Sequence, residues 1–170
     1  GGLVGEDGVT HHGVFDMAAF GAVPGLTIAA PMDELELRNM MYTGLQYGHP
    51  FMIRYPRGNG AGRLWRGVPF EALPVGRGRR LREGTDVALV TVGTVGNAAA
   101  RAAERAAAKG VSVAHYDLRF AKPLDEALLA GVGAEFRHVV TVEDGSLRGG
   151  VGEAVTAFFN ARGCEVAVHS

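Results

Sequence analysis

The feature that most constrains the fold is a repeated alternation of short apolar runs with helical segments in the second half of the chain. The apolar runs have the length and composition of buried strands, and they are Val87–Val92, Val111–Tyr116, His138–Val142 and a fourth run that begins at Glu165. The segments between them have helical character, and they are Asn97–Lys109, the stretch after Asp125, and a segment from Gly149 to about Ala161. This order predicts an α/β fold in which helices cover a parallel sheet.

The first 60 residues show the same alternation once. Leu26–Ala30 and Phe51–Tyr55 are predicted strands, each ended by a proline. A helix is predicted to begin at Asp33, because Asp is a good N-cap and Glu36 completes a pattern similar to a capping box. A short helix is also predicted from Val14 to Phe20. Strand, helix and strand in this order predict a parallel βαβ unit.

A Gly-, Pro- and Arg-rich stretch separates the two alternating regions. Its four arginines, Arg77, Arg79, Arg80 and Arg82, are typical of a solvated connection and less typical of a specific anion site. Extended structure is expected around Leu73–Leu81. We therefore predict a first domain over residues 1–60, a linker over 61–84 and a second domain over 85–170, the last truncated at its end.

Composition excludes several classes of partner. The formal net charge of −1 gives no basic footprint for nucleic acid, and no apolar run is long enough to span a bilayer. Cys164 is the single cysteine, so an internal disulfide framework is impossible and a cytoplasmic location is expected. The chain lacks an initial Met and stops inside a predicted strand, so we expect it to be a piece of a longer protein.

The loop Asp7–Asp16 is the first candidate for chemistry. It places Asp7, Thr10, His11 and His12 within a few residues, and histidine is the side chain that titrates nearest neutral pH. Solvated bystander histidines in an Asp-Gly turn are the alternative interpretation. Because adjacent residues on an extended backbone point to opposite sides, the two histidines are not expected to bind one metal together.

Other candidates lie where predicted strands end. Arg57 lies between the rigid Pro56 and the permissive Gly58, and its planar guanidinium suits phosphate as well as it suits a surface ion pair. Glu143 and Asp144 follow a strand and could cap the next turn or line an interface. The glycine-rich turns Gly93–Gly96 and Gly149–Gly152 match no phosphate-binding motif, which favours close packing of helix on sheet.

These motifs together resemble the 1-deoxy-D-xylulose-5-phosphate synthase family of transketolase-like thiamine diphosphate enzymes. The matching segments occur in the family's order, and they are Gly5–Asp16, Ala30–Glu34, Tyr42–Gly44, Arg54–Gly60, Gly93–Thr94, Asp117–Asp125, Thr141–Asp144 and Gly149–Gly152. The resemblance implies part of a pyrimidine-binding parallel-sheet domain, followed by a three-layer α/β domain of the transketolase C-terminal type.

The resemblance also implies an activity. The family condenses pyruvate with glyceraldehyde 3-phosphate and releases CO₂, with thiamine diphosphate and Mg²⁺ as cofactors, at the start of the methylerythritol phosphate route to isoprenoids. By resemblance, His11 assists proton transfer, Asp7 positions the loop and the substrate, and Arg57 holds the substrate phosphate. The cofactor carries the carbanion chemistry, so the protein's tasks are orientation and electrostatics.

The family's diphosphate and Mg²⁺ motif and its activating glutamate have no counterpart in this sequence. The chain alone is therefore expected to be inactive, and the complete enzyme is expected to be a homodimer. Transketolase and the β-subunits of 2-oxo-acid dehydrogenases share the same layout and stay open as alternatives. A non-catalytic α/β interaction module is the alternative from a different class. No role is assigned to His12, Glu143 or Asp144.

Overall fold

The computed structural model describes residues 1–170. The helices are α1 (Asp16–Gly21), α2 (Glu34–Tyr47), α3 (Val95–Ala107), α4 (Glu126–Glu135) and α5 (Val151–Ala161), and a 3₁₀ turn covers Val9–His11. The strands are β1 (Thr27–Ala29), β2 (Phe51–Ile53), β3 (Arg79–Arg82), β4 (Val87–Thr91), β5 (Val113–Asp117), β6 (Phe120–Lys122), β7 (His138–Val142) and β8 (Ala167–His169). The predicted α/β class is confirmed. No helix has the length and apolar character needed to cross a membrane.

The second half of the chain forms a five-stranded sheet in the order β3-β5-β4-β7-β8. The last four strands in that order are parallel, and β3 is antiparallel to β5. Alternate residues of β4 face opposite sides, so Val90 packs into the large core with Leu129 and Phe159, whereas Leu89 packs against Ala103 of α3. Helices therefore cover both faces of the sheet, which gives the three predicted layers.

The first half forms a smaller sheet in which β1 and β2 are parallel and α2 connects them, as the βαβ prediction requires. Asp33 is the N-cap of α2 and accepts a hydrogen bond from the Glu36 N–H at 2.9 Å. The reciprocal half of the predicted capping box is absent. Glu36 Oε2 accepts instead from the Met32 N–H at 3.2 Å, and its Oε1 pairs with Arg119. The Glu36 carboxylate therefore binds Met32 and Arg119 and does not complete the capping box.

The two halves share a sheet and a core. Strand β6 follows the second half's β5, yet it pairs antiparallel with β1 of the first half. The Arg119 carbonyl accepts from the Ala30 N–H at 2.8 Å, with Arg119 itself in the left-handed region at φ 59°. Met17 and Ala30 of the first half also belong to the large core cluster. The halves are consequently fixed against each other by backbone pairing as well as by apolar burial.

The predicted 61–84 connection is partly ordered sheet. Arg79 and Arg80 lie on the edge strand β3 and their side chains are 30% exposed. Arg79 pairs with Asp117 at 3.1 Å, Arg80 pairs with Glu83 at 2.9 Å, and Arg77 pairs with Asp125 at 3.1 Å. The interpretation of this cluster as solvated is therefore wrong for Arg79, which lies between the buried carboxylates of Glu36 and Asp117. Arg77 and Arg80 remain at the surface, because the Arg77 side chain is 59% exposed and the partner of Arg80, Glu83, is exposed.

A charged cluster lies at the junction of the two halves. Glu36 Oε1 is bound by Arg119 Nε at 2.7 Å and by Arg79 Nη2 at 2.9 Å. Arg79 also binds Asp117, which is fully buried at the end of β5. Burial and then the negative charge of Glu36 raise the pKa of Asp117 to about 6, and the two arginines oppose the rise. The cluster joins α2 to β3 and β5 through buried charges.

Candidate functional site

A cavity of about 580 Å³ gathers the three predicted site residues. Its lining includes Asp7 and His11 from the N-terminal loop, which is residues 1–15 before α1, and Arg57 from the segment after β2. Arg54, which the sequence analysis did not assign, lines the same cavity. The strand β2 and the loop are distant in sequence, so the structure brings together the carboxylates of Asp7 and Asp16, an imidazole and two arginines that the motifs alone could not place.

His11 ends the 3₁₀ turn and is exposed. Its Nδ1 lies 3.0 Å from the Thr10 hydroxyl, and its Nε2 makes no hydrogen bond within the chain. An imidazole held through one nitrogen with the other nitrogen open can exchange a proton with a bound molecule. His12 differs, because its Nδ1 accepts from the Val4 N–H at 2.9 Å. His12 therefore fixes the loop backbone, whereas His11 remains accessible.

Asp7 contacts Arg57 through an ion pair and makes no hydrogen bond to His11. The Asp7 side chain is 22% exposed and the Arg57 side chain 62% exposed, so the pair lies at the cavity's open edge. The glycine that follows Asp7, Gly8, has φ 76°, and Gly58 after Arg57 has φ 145°, both outside the range that most residues adopt. These turns bring the N-terminal loop, which carries Asp7, into contact with the segment that carries Arg57.

Arg57 also lines a second cavity of about 650 Å³ on the side of helix α3. That cavity includes Asn59, Asn97 and Arg101, the last two from the first turns of α3. Two of its acidic side chains are already engaged: Asp33 caps α2, and Glu34 accepts from the Gly62 N–H at 2.8 Å. Arg57 therefore lines both cavities.

The residues after β7 support this site from the second half. Glu143 Oε1 accepts from the Gly152 N–H at 2.8 Å at the start of α5, which is the capping role that the sequence left open. The Asp144 carboxylate accepts from the Leu3 N–H at 3.1 Å and 3.2 Å, and the Asp144 carbonyl accepts from Arg54. Asp144 thus connects the second half to the N-terminal loop.

The predicted glycine-rich turns pack closely, as expected. A Cβ on Gly96 would lie 3.0 Å from Thr91 Oγ1, and a Cβ on Gly152 would lie 2.8 Å from Thr141 Oγ1. A Cβ on Gly150 would lie 2.1 Å from the Ser146 carbonyl oxygen. The glycines allow helices α3 and α5 to start directly against the sheet.

The residues present do not fit the metal end of a cofactor. No group of three or more His, Cys, Asp or Glu side chains is placed to hold a metal ion. The site residues instead form one imidazole, one carboxylate and an open-sided guanidinium, a set that can orient a substrate, bind an anion and exchange a proton.

Fold and site together define a member of the transketolase class, and comparison with known families shows the same. Residues 76–170 match the transketolase C-terminal domain, and residues 1–62 match the transketolase pyrimidine binding domain. The chain belongs to the transketolase family.

Within this family, the chain is similar to proteins named 1-deoxy-D-xylulose-5-phosphate synthase. The protein from Bacteroides fragilis is 58% identical over 164 residues, which cover 95% of this chain and 25% of that protein. The protein from Anaeromyxobacter dehalogenans is 49% identical over 169 residues, which cover 96% of this chain and 26% of that protein. The chain thus spans about a quarter of the length of these curated relatives.

Solved structures support the fold assignment. A split gene transketolase, described as an inactive beta4 tetramer, superposes with a TM-score of 0.84 at 28% identity, over 94% of this chain and 52% of that chain. A transketolase mutant from Pichia stipitis superposes with a TM-score of 0.64 at 21% identity, over 84% of this chain and 22% of that chain. The latter likeness shows the fold alone.

Proposed function

We propose that the chain is part of a 1-deoxy-D-xylulose-5-phosphate synthase, which condenses pyruvate with glyceraldehyde 3-phosphate and releases CO₂. The observation that carries the proposal is the single cavity lined by Asp7, His11 and Arg57. The comparisons favour a synthase over a transketolase, because identity is 58% to the Bacteroides fragilis synthase and 28% to the split transketolase. The reaction would open the methylerythritol phosphate route to isoprenoids.

In this proposal, Arg57 binds the phosphate of glyceraldehyde 3-phosphate. Its side chain is 62% exposed, so a ligand can reach it, and a phosphate offers a guanidinium more acceptor oxygens and charge than a carboxylate does. The incoming phosphate would share or replace the contact with Asp7. Asp7 therefore holds the empty guanidinium in position, which reduces the ordering cost when substrate arrives.

His11 exchanges a proton with the reacting molecule through Nε2. The nitrogen is free of protein partners, whereas Nδ1 is steadied by the Thr10 hydroxyl. This division of tasks is what general acid–base assistance requires of an imidazole. Asp7 makes no hydrogen bond to His11, so its proposed role is limited to the loop and the substrate.

The complete enzyme would use thiamine diphosphate and Mg²⁺, and the cofactor would supply the carbanion. Because the site residues of this chain do not form a metal site, we propose that the diphosphate of thiamine diphosphate and its Mg²⁺ are held by segments outside this sequence. We further propose a homodimeric, cytoplasmic enzyme in which residues 1–60 and 85–170 act as two domains connected by 61–84. The fragment alone is proposed to be inactive.

The test is the Arg57→Ala variant of the complete protein, assayed at steady state with each substrate varied in turn. Loss of a charge-assisted contact of about 1.5–3 kcal/mol should raise KM for glyceraldehyde 3-phosphate about 10- to 100-fold and leave KM for pyruvate nearly unchanged. Arg105→Ala is the matched control, because Arg105 is an exposed arginine on α3 with no ion pair. An unchanged KM for the triose phosphate would refute the phosphate role of Arg57.

A further inference from the structure

Arg54 is a buried cation whose partners come from two separate segments. Its side chain is 6% exposed and it directly follows strand β2. Its Nε donates to Asp16 at 2.8 Å from each carboxylate oxygen. Its Nη2 donates to the Gly13 carbonyl at 3.2 Å and to the Asp144 carbonyl. One guanidinium therefore joins the end of β2, the N-terminal loop and the loop after β7.

The attachment points bracket the proposed site. Gly13 lies two residues after His11, and Asp16 is the first residue of α1. Arg57 lies three residues after Arg54 on the same short segment. Arg54 therefore connects the loop that carries His11 to the segment that carries Arg57.

Two glycines, Gly1 and Gly2, leave the space that Arg54 and Asp144 occupy. A Cβ on Gly1 would lie 2.4 Å from Arg54 Cγ, and a Cβ on Gly2 would lie 1.9 Å from an Asp144 carboxylate oxygen. A larger residue at either position would push apart the groups that Arg54 connects. Gly2 and Gly13 form an isolated antiparallel β-bridge with two backbone hydrogen bonds, at 2.8 Å and 3.1 Å, which closes the N-terminal loop beside Arg54.

Only an arginine can make this set of contacts. Its planar fork presents several N–H donors at once, whereas a lysine presents one nitrogen at the end of a flexible stem. A buried cation is tolerated only when its charge is paired, and Asp16 with two backbone carbonyls engages the Nε and Nη2 donors of Arg54.

We propose that Arg54 is a positioning residue for the synthase reaction: by tying Gly13, Asp16 and Asp144 together it sets the spacing between His11 and Arg57. This inference rests on the proposed function. It adds that the second half of the chain, through Asp144, helps to hold the site in its working geometry. Nη1 is the one guanidinium nitrogen without a protein partner, and Arg54 lines the cavity, so direct substrate binding is the competing role.

The test uses Arg54→Lys in the complete protein, with Arg119→Lys as the matched control. Arg119 is another arginine with little exposure that joins the two halves, through Glu36 at 2.7 Å, but it does not line the cavity. Both variants should lose thermal stability, because each loses part of a buried ion pair. Arg54→Lys should lower kcat about 10²-fold, the cost of a displacement near 1 Å, with both KM values within about threefold. Arg119→Lys should keep kcat.

A second variant guards against misfolding, and a second measurement separates the two proposals. Asp16→Asn keeps an acceptor oxygen for Arg54, so it should also lower kcat, by a smaller factor than Arg54→Lys does. Amide hydrogen exchange over residues 8–13 should speed up in Arg54→Lys and not in Arg119→Lys. Unchanged exchange in that segment, or an increased KM with kcat preserved, would overturn the positioning role. An inactive complete wild-type protein would refute the proposed function, while the exchange result would still decide whether Arg54 tethers the loop.

Discussion

Replacing Asp117 with Asn should change the pH dependence of stability in a defined direction. Asp117 is fully buried, and its Oδ1 accepts from the Arg119 N–H at 3.1 Å while its Oδ2 contacts Arg79. Burial and Glu36 raise its pKa from 3.8 to about 6 in the folded protein. Between these values the folded state keeps a proton that the unfolded chain has released, so the free energy of unfolding falls as pH rises.

The size of this effect follows from the rise in pKa. A rise from 3.8 to about 6 corresponds to about 3 kcal/mol of stability, present below pH 4 and lost by about pH 7. Asp117→Asn removes the titration and keeps an acceptor for the Arg119 N–H. Urea unfolding of both proteins between pH 4 and 7.5 should therefore give a difference in free energy, wild type minus variant, that falls by about 3 kcal/mol as pH rises.

Two features of the design make the result decisive. Glu104→Gln is the control for the loss of a carboxylate, because Glu104 is exposed on α3 and makes no ion pair, and near neutral pH its free energy of unfolding should lie within about 0.5 kcal/mol of the wild-type value. Glu36 shares the site, so the rise in the pKa of Asp117 includes the effect of the negative charge of Glu36. If the difference in free energy of unfolding, wild type minus Asp117→Asn, is flat or increases with pH, burial does not raise the pKa of Asp117.

Two further predictions concern the site and the packing. His11→Gln in the complete protein should lower kcat by about 10²–10⁴, whereas His138→Gln, at an exposed histidine of β7, should not; near-normal turnover would remove His11 from the reaction. Gly84→Ala should lower the free energy of unfolding by about 1–3 kcal/mol or more, because its Cβ would lie 2.2 Å from the Ala114 backbone nitrogen. Gly131→Ala, inside α4 with open space around it, should instead raise that free energy by up to about 1 kcal/mol in the same chemical denaturation.

Local patterns predicted the elements of this fold well. His138–Val142 was predicted with the bounds that β7 has, and Asp33 caps α2 as its spacing indicated. These features depend on residues close in sequence, whose periodicity and capping chemistry are visible in a single chain. The motifs also indicated Asp7, His11 and Arg57, and the structure places all three at one cavity.

Long-range pairing was not predictable in the same way. Strand β6 has three residues and no apolar alternation, so nothing in its sequence indicated that it would pair with β1. Arg54 binds the backbone carbonyls of Gly13 and Asp144, and a carbonyl carries no side-chain signature. The solvated interpretation of Arg79 failed for a related reason, since its partners Glu36 and Asp117 lie far away along the chain.

The same long-range contacts explain why the site depends on both halves. The residues proposed to meet the substrate all lie in the first 60 positions, yet that segment supplies only two strands and a short βαβ unit of its own. Two strands bury too little apolar surface to be stable alone. Pairing of β6 with β1 and the contact of Arg54 with Asp144 add the missing support from the second half. The geometry of His11 and Arg57 therefore depends on the joined halves, and a change at the contact between Arg54 and Asp144 should alter the site without touching a substrate.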